Sequence, residues 1–240
     1  MRHAGAIFAL VCCLALPAAG QTASSKTSAP PRSESKNVPA APQSTNSNAS
    51  NIDGIAVRIG DDVVTDSEVR QLEDYQQLVD GHVQSRAEVL QELVDQWIVR
   101  TEAAATKFPH PTASEVNEEF HALEKQFKSP QEFQEKLAHA GLTQDAALQV
   151  LERQIYYVRF LNYKFHATAQ VTSAEIEAYY QKQLAPQLEK KGLSLPPLNQ
   201  VEAQIRQLLT QEQINKKAAQ WLEEAKARLR IIIQPSGGGG

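Results

Sequence analysis

Two short runs rich in β-branched residues lie at opposite ends of the foldable part of this chain, and they constrain its fold most. The first, Ile55–Ile59, alternates large aliphatic residues with Ala56 and Arg58, as a half-buried strand does. A Gly-Asp-Asp turn then leads into a second short strand at Val63-Val64, and the other run is Ile231–Ile233. Because a lone hairpin is marginal in water, we expect the distant strand to pair with it. The pairing would close the domain and leave helices between the two ends.

Four Ser/Thr-x-x-Glu sequences mark helix starts within that region. In such a capping box the hydroxyl accepts from one free amide of the first turn, while the glutamate accepts from the amide of the capping residue. The boxes are Thr65/Glu68, Ser85/Glu88, Thr112/Glu115 and Thr172/Glu175. With the glycines and prolines, they predict helices over Asp66–Val79, Arg86–Phe108, Ala113–Phe127, Pro130–Gly141, Thr143–His166, Ser173–Leu184 and Leu198–Arg228. The sequence therefore predicts a mostly α-helical domain with a small sheet.

The first 20 residues have the character of a secretory signal peptide. Their apolar run, Ala6–Leu16, is too short to cross a bilayer as a folded helix, and small residues precede a cleavage position after Gly20. The alternative is an uncleaved anchor. The only two cysteines, Cys12 and Cys13, lie inside this run, so the mature chain has no disulfide, thiol nucleophile or thiolate metal site. Export of a protein without cysteine predicts a bacterial periplasmic location.

The rest of the chain divides by composition. Residues 21–51 are rich in Ser, Ala, Pro, Thr and Asn and contain too little apolar surface to offset ordering entropy, so they are predicted to be a disordered linker. Residues 52–234 form one predicted helical domain, and residues 235–240 a flexible tail. The net charge of −4 lacks the basic footprint of a nucleic-acid binder, and no later segment is apolar enough to span a membrane.

The sequence contains no recognisable catalytic motif. Its histidines beyond the signal form neither an i, i+4 pair nor a His-Glu-x-x-His arrangement. Neither a phosphate-binding glycine loop nor a Gly-x-Ser-x-Gly nucleophile turn is present. We therefore predict no enzymatic activity, no metal and no cofactor.

The helix predicted over Thr143–His166 carries two apolar stripes. Tyr156, Phe160 and Tyr163 follow i, i+4, i+7 spacing, with Tyr157 beside them. This stripe either presents aromatic side chains to a ligand or is covered by the long C-terminal helix. Coverage by the helix is favoured, because large apolar side chains are usually buried. The other stripe is the predicted core face of Leu148, Leu151, Ile155, Val158 and Phe165. Trp97 and Trp221 are predicted core residues, and Tyr179 and Tyr180 are candidates for the rim of a binding surface.

The order of these elements resembles the SurA and PpiC-type periplasmic chaperone-foldases. The resemblance rests on the starting hairpin and capped helix, on Val171–Tyr180 (VTSAEIEAYY), on the long helix through Val201–Trp221, and on the closing strand. It covers about Ile55–Ile233 and implies a SurA N-terminal-like helical domain. Family members usually insert a parvulin prolyl-isomerase domain between the two helices, but only Gln181–Asn199 lies there, far too few residues for a domain.

The resemblance implies an ATP-independent holdase for unfolded polypeptides, including outer-membrane proteins, without isomerase activity. The client-binding residues would be Tyr156, Tyr157, Phe160, Tyr163, Tyr179 and Tyr180. Two alternatives stay open at this point. One is a helical adaptor that docks one folded envelope protein, and the other is a divergent prolyl isomerase. The oligomeric state is not predicted.

Overall fold

The computed structural model describes residues 53–234. The predicted signal peptide (1–20), linker (21–51) and tail (235–240) lie outside the described residues. Within residues 53–234, none of the helices combines the length and the apolar character that a membrane span requires.

Three strands form one antiparallel sheet in the order β2-β1-β3. They are β1 (Ile55–Ile59), β2 (Asp62–Thr65) and β3 (Ile231–Ile233). Arg58 of β1 lies opposite Val63 of β2 and Ile232 of β3. On the other face of β1, Val57 and Ile59 are fully buried, so this face rests on the core. The predicted pairing of the first and last strands is confirmed.

Eight α-helices connect β2 to β3. They are α1 (Asp66–Asp80), α2 (Arg86–Ala105), α3 (Ala113–Glu124), α4 (Pro130–His139), α5 (Gln144–Phe165), α6 (Ser173–Tyr179), α7 (Ala185–Lys190) and α8 (Leu198–Lys226). All four predicted capping boxes form, at the starts of α1, α2, α3 and α6. The prediction of a mostly α-helical domain with a small sheet is therefore confirmed.

Helix α2 ends earlier than the sequence predicts, at Ala105 instead of Phe108. The amide of Phe108 donates to the Ala103 carbonyl at 2.9 Å, and the amide of Lys107 donates to Ala104 at 3.0 Å. This pair of bonds is the Schellman helix ending, which requires a left-handed residue at the position of Lys107. Lys107 has a φ of 55°, a conformation that glycine normally occupies.

We expect Lys107→Gly to stabilise the protein by about 0.5–1 kcal/mol. The left-handed conformation costs a residue with a Cβ on the order of 1 kcal/mol, which glycine avoids, while glycine's freedom in the unfolded chain offsets part of that gain. Urea unfolding followed by circular dichroism measures the difference. Lys125, which caps α3 with an ordinary φ of −66°, is the matched control. There the same change should destabilise, and a stabilisation at both sites would contradict the argument.

The helical path that begins with α6 continues past its predicted end at Leu184. A π-helical turn, Tyr180–Leu184, joins α6 to α7, and the amide of Ala185 donates to the Tyr180 carbonyl five residues earlier. Pro186 follows and has no N–H to continue regular α-helical bonding. The wider turn accommodates this break without ending the helix.

Two apolar cores share the long helix α8. The main core lies under the sheet and includes Phe133, Phe160 and Leu72, with Ala218 and Leu222 contributed by the second half of α8. A smaller cluster joins Ile176 and Tyr180 to Ile205 in the first half of α8. Helix α8 packs against α2, α5 and α6 and so holds several earlier helices together.

Candidate functional site: an aromatic cluster between α2, α5 and α8

Seven rings meet where the end of α2, the second half of α5 and α8 come together, and we call this group the aromatic cluster. Phe108 lies at its centre, 5.4 Å from the ring of Phe160 and 5.0 Å from that of Tyr163. Edge-on and tilted contacts at these distances are favourable beyond the area that they bury. The members are Phe108, His110, Tyr156, Phe160, Tyr163, Phe165 and Trp221.

The cluster extends from the core to the surface. Phe160 is 1% exposed and Tyr156 5% exposed, whereas Tyr163, one turn beyond Phe160 on α5, is 67% exposed. Phe108 and Trp221 are half-buried between these extremes. A ring that enters from solvent would therefore meet Tyr163 first, against a base of packed aromatic side chains.

Polar contacts fix the inner rings. The Tyr156 hydroxyl donates to the Phe108 carbonyl at 3.2 Å, and the His110 ring stacks on Tyr156 with centroids 4.2 Å apart. Burial raises the pKa of Tyr156, so this hydroxyl stays protonated and able to donate at neutral pH. These contacts attach the segment after α2 to α5 and hold Phe108 in the centre of the cluster.

Basic side chains border the cluster, each with an acidic partner. Lys164 lies over the Trp221 ring, 4.8 Å from its centroid, and pairs with Glu102 at 2.9 Å. Arg159 pairs with Glu115 at 3.1 Å. A cation over an indole face contributes about 0.5–2 kcal/mol, depending on its exposure. Lys164 therefore bridges α5, α2 and α8 while its aliphatic part covers aromatic surface.

The structure brings together three of the six predicted client-binding residues and separates the other three. Tyr156, Phe160 and Tyr163 all belong to the aromatic cluster, and of these Tyr163 alone is exposed. Tyr157 is half-buried and faces a different cleft. Tyr180 is buried in the smaller core, where its hydroxyl donates to the Pro196 carbonyl at 2.7 Å, and Tyr179 packs against the same core.

The predicted core stripe of α5 is confirmed in part. Leu151 is buried, and Leu148, Ile155 and Phe165 are partly buried against the main core, whereas Val158 is partly buried outside it. Tyr156 and Phe160 of the other stripe are also buried in this core, because Phe108 packs on both and Trp221 packs on Phe160. The interpretation in which the C-terminal helix covers the stripe therefore describes Phe160 but not Tyr163.

Sequence reasoning missed Phe108, His110 and Lys164 as members of this site. The Pro-His-Pro sequence at 109–111 is the signal that could have identified the first two, since it forces the chain out of α2 directly after Phe108. Lys164 lies one residue beyond Tyr163, and nothing in the sequence showed that its ammonium reaches Trp221. Trp97 and Trp221, predicted as core residues, are partly buried against the main core.

The described part of the chain, residues 53–234, contains no group of three or more acidic, histidine or cysteine side chains placed to hold a metal ion. Neither a family model nor a curated protein sequence matches the chain. The resemblance to SurA-type chaperones therefore stays a prediction that rests on the residue patterns.

Proposed function

We propose that this protein is an ATP-independent holdase that binds apolar segments of unfolded polypeptides in the bacterial periplasm. The observation that carries the proposal is the 67% exposure of Tyr163 on a base of packed aromatic rings. An aromatic ring offers large contact area for few rotatable bonds, and its edge and face suit other aromatic side chains. The N-terminal sequence, with its apolar run and small residues, supports export to the periplasm.

The small size of the exposed surface sets the expected binding strength. A client that contacts one exposed ring and its half-buried neighbours buries little surface area, and it must also lose conformational freedom on binding. Each contact is therefore weak and short-lived, so release needs no nucleotide and no covalent step. Unfolded outer-membrane proteins fit this description because their strands alternate apolar residues and carry aromatic girdles.

We expect Tyr163→Ser to abolish most of the protection that the protein gives to an unfolded client. Light scattering from an outer-membrane protein diluted out of urea measures aggregation with and without the holdase. The substitution removes the most exposed ring but no core atoms, so circular dichroism should remain unchanged. Val83→Ser is the matched control, since Val83 is 41% exposed in the turn before α2 and lies outside the aromatic cluster.

Two results would oppose the proposal. Absence of any suppression at several-fold molar excess of wild-type protein would favour an adaptor that docks one folded partner. Equal loss in the Tyr163 and Val83 variants would show that general surface hydrophobicity, and not the aromatic cluster, holds the client.

A further inference from the structure

A small cleft lies between β2, α1, α2 and α5. Its cavity volume is about 30 Å³, and its lining includes Val64, Glu68, Trp97, Arg100, Arg153 and Tyr157. A cavity needs roughly 10–15 Å³ in this measure to hold one water, so the cleft has room for about two waters or a group of three heavy atoms. The indole N–H of Trp97 donates to Asp62 at 3.1 Å, which fixes the orientation of this wall.

Two arginines reach the cleft, and neither forms an ion pair with a carboxylate of residues 53–234. Arg153 donates to the Gln71 side chain at 3.4 Å, a long contact for a guanidinium. Arg100 has no hydrogen-bond partner in the same range of the chain and is exposed at the mouth. The charge of Arg100 opposes that of Arg153, and an anion bound by both would offset this repulsion.

One acidic group, Glu68, lies in the lining itself, and its charge acts on Arg153. Glu68, in the lining, accepts the backbone N–H of Thr65 at 2.9 Å as part of the α1 capping box. Glu152 affects Arg153 less than Glu68 does, and its carboxylate lies 3.8 Å from Nδ1 of His110. Burial lowers the pKa of Arg153, because a guanidinium group withdrawn from water loses part of the hydration that stabilises its charge. With two guanidinium groups and one carboxylate in its lining, the cleft keeps one net positive charge and the N–H donors of Arg100.

We propose that this cleft binds the terminal carboxylate of a polypeptide, with Arg100 and Arg153 as its donors. A carboxylate has three heavy atoms and fits the volume, and its two oxygens match the forked geometry of guanidinium N–H groups. The rest of the ligand must stay outside, where Trp97 and Tyr157 offer aromatic surface to an apolar last residue. The lining of the cleft includes one member of the aromatic cluster, Tyr156, and its other residues lie outside that cluster.

Tryptophan fluorescence of the full chain tests this site. The protein has two tryptophans, so in a Trp221→Phe background the emission reports on Trp97 alone. The probes are N-acetyl-phenylalanine, its amide, and N-acetyl-aspartate α-amide, which carries a side-chain carboxylate instead of a terminal one. We expect N-acetyl-phenylalanine to bind and its amide to leave the emission unchanged.

Arg100→Met supplies the decisive variant because Arg100 is exposed on α2, and a change there should leave the fold intact. Loss of one charge-assisted pair should weaken binding about tenfold or more. Arg228→Met is the control, since that side chain is 75% exposed near the end of α8. The fold of each variant is checked by circular dichroism.

Equal binding of acid and amide, or unchanged binding by the Arg100 variant, would overturn the proposal. Equal affinity for N-acetyl-aspartate α-amide, or competition by inorganic phosphate at the same concentration, would overturn its restriction to chain ends. The outcome is independent of the aggregation experiment, because Tyr163 does not line the cleft.

Discussion

Phe160→Ala should lower the free energy of unfolding by about 3–5 kcal/mol, as truncation of a buried phenylalanine commonly does. The ring is 1% exposed, stands edge-on to Phe108 and contacts Trp221. Its removal leaves a cavity at the junction of α2, α5 and α8, and it also frees Lys164, whose ammonium lies 5.7 Å from the ring centroid. Urea unfolding followed by circular dichroism gives the difference directly.

The same experiment distinguishes the two interpretations of the aromatic stripe. Tyr163→Ala is the control on the same helix, and at 67% exposure it should cost well under 1 kcal/mol. A small effect at both positions would mean that Phe160 also faces solvent and that the stripe is open. A Ser substitution of the whole stripe could not separate loss of client binding from loss of the core, which is why the holdase test uses Tyr163 alone.

Lys226→Met should destabilise the protein by about 3 kcal/mol at neutral pH. The Lys226 ammonium lies 3.0 Å from Asp95, and the two side chains are only 12% and 14% exposed. Removing the cation leaves the Asp95 carboxylate in a poorly solvated position between α2 and α8, which costs more than the pair itself is worth. Urea unfolding measures the loss, and Asp95→Asn/Lys226→Met should recover much of it.

This deficit should depend on pH. Burial raises the pKa of Asp95 against the opposing effect of Lys226, and removal of Lys226 raises it further. Protonation of Asp95 stabilises the variant, so the difference from wild type is largest at neutral pH and shrinks as the pH falls through the raised pKa. A deficit independent of pH would indicate that lost packing of the lysine chain, and not an unpaired charge, is the cause.

Lys226 itself sets the alkaline limit of this interaction. Burial opposes its charged form, but hydrogen bonding to Glu223 and the charge of Asp95 outweigh burial and raise the pKa of Lys226. On the alkaline side, the stability that the pair contributes disappears as the pH rises through the raised pKa of Lys226, and on the acidic side protonation of Asp95 removes it.

Local sequence signals were sufficient for most of the architecture. A capping box requires only four consecutive positions, so each helix start that carries one could be placed from the sequence. The sheet was predictable because Ile231–Ile233 is the one β-branched run left to pair with β1. Helix ends were less certain, since Lys107 takes a conformation that its side chain disfavours. The π-helical turn could not be predicted either, because the sequence shows that Pro186 interrupts α-helical bonding but not how the backbone before it accommodates the interruption.

The buried face of α5 could not be derived from its own sequence. Both of its apolar stripes could have filled a core, and the hydrophobic pattern gives them similar weight. The choice depends on Phe108, from the segment after α2, and on Trp221 of α8, which reach α5 only in the folded chain. The exposed position of Tyr163 has the same origin, because Phe108 contacts its ring but leaves the residue 67% exposed.

The pairing of β3 with β1 has a consequence for how the domain folds. The strand that completes the sheet is the last element of the domain, while its partner is the first. Contacts between segments so distant along the chain close slowly compared with helix formation. During synthesis, β1 can pair with β2 and the helices can form while β3 is still missing, so the sheet is completed only after α8 and β3 have emerged. Until then, the edge of β1 that later pairs with β3 has no partner strand.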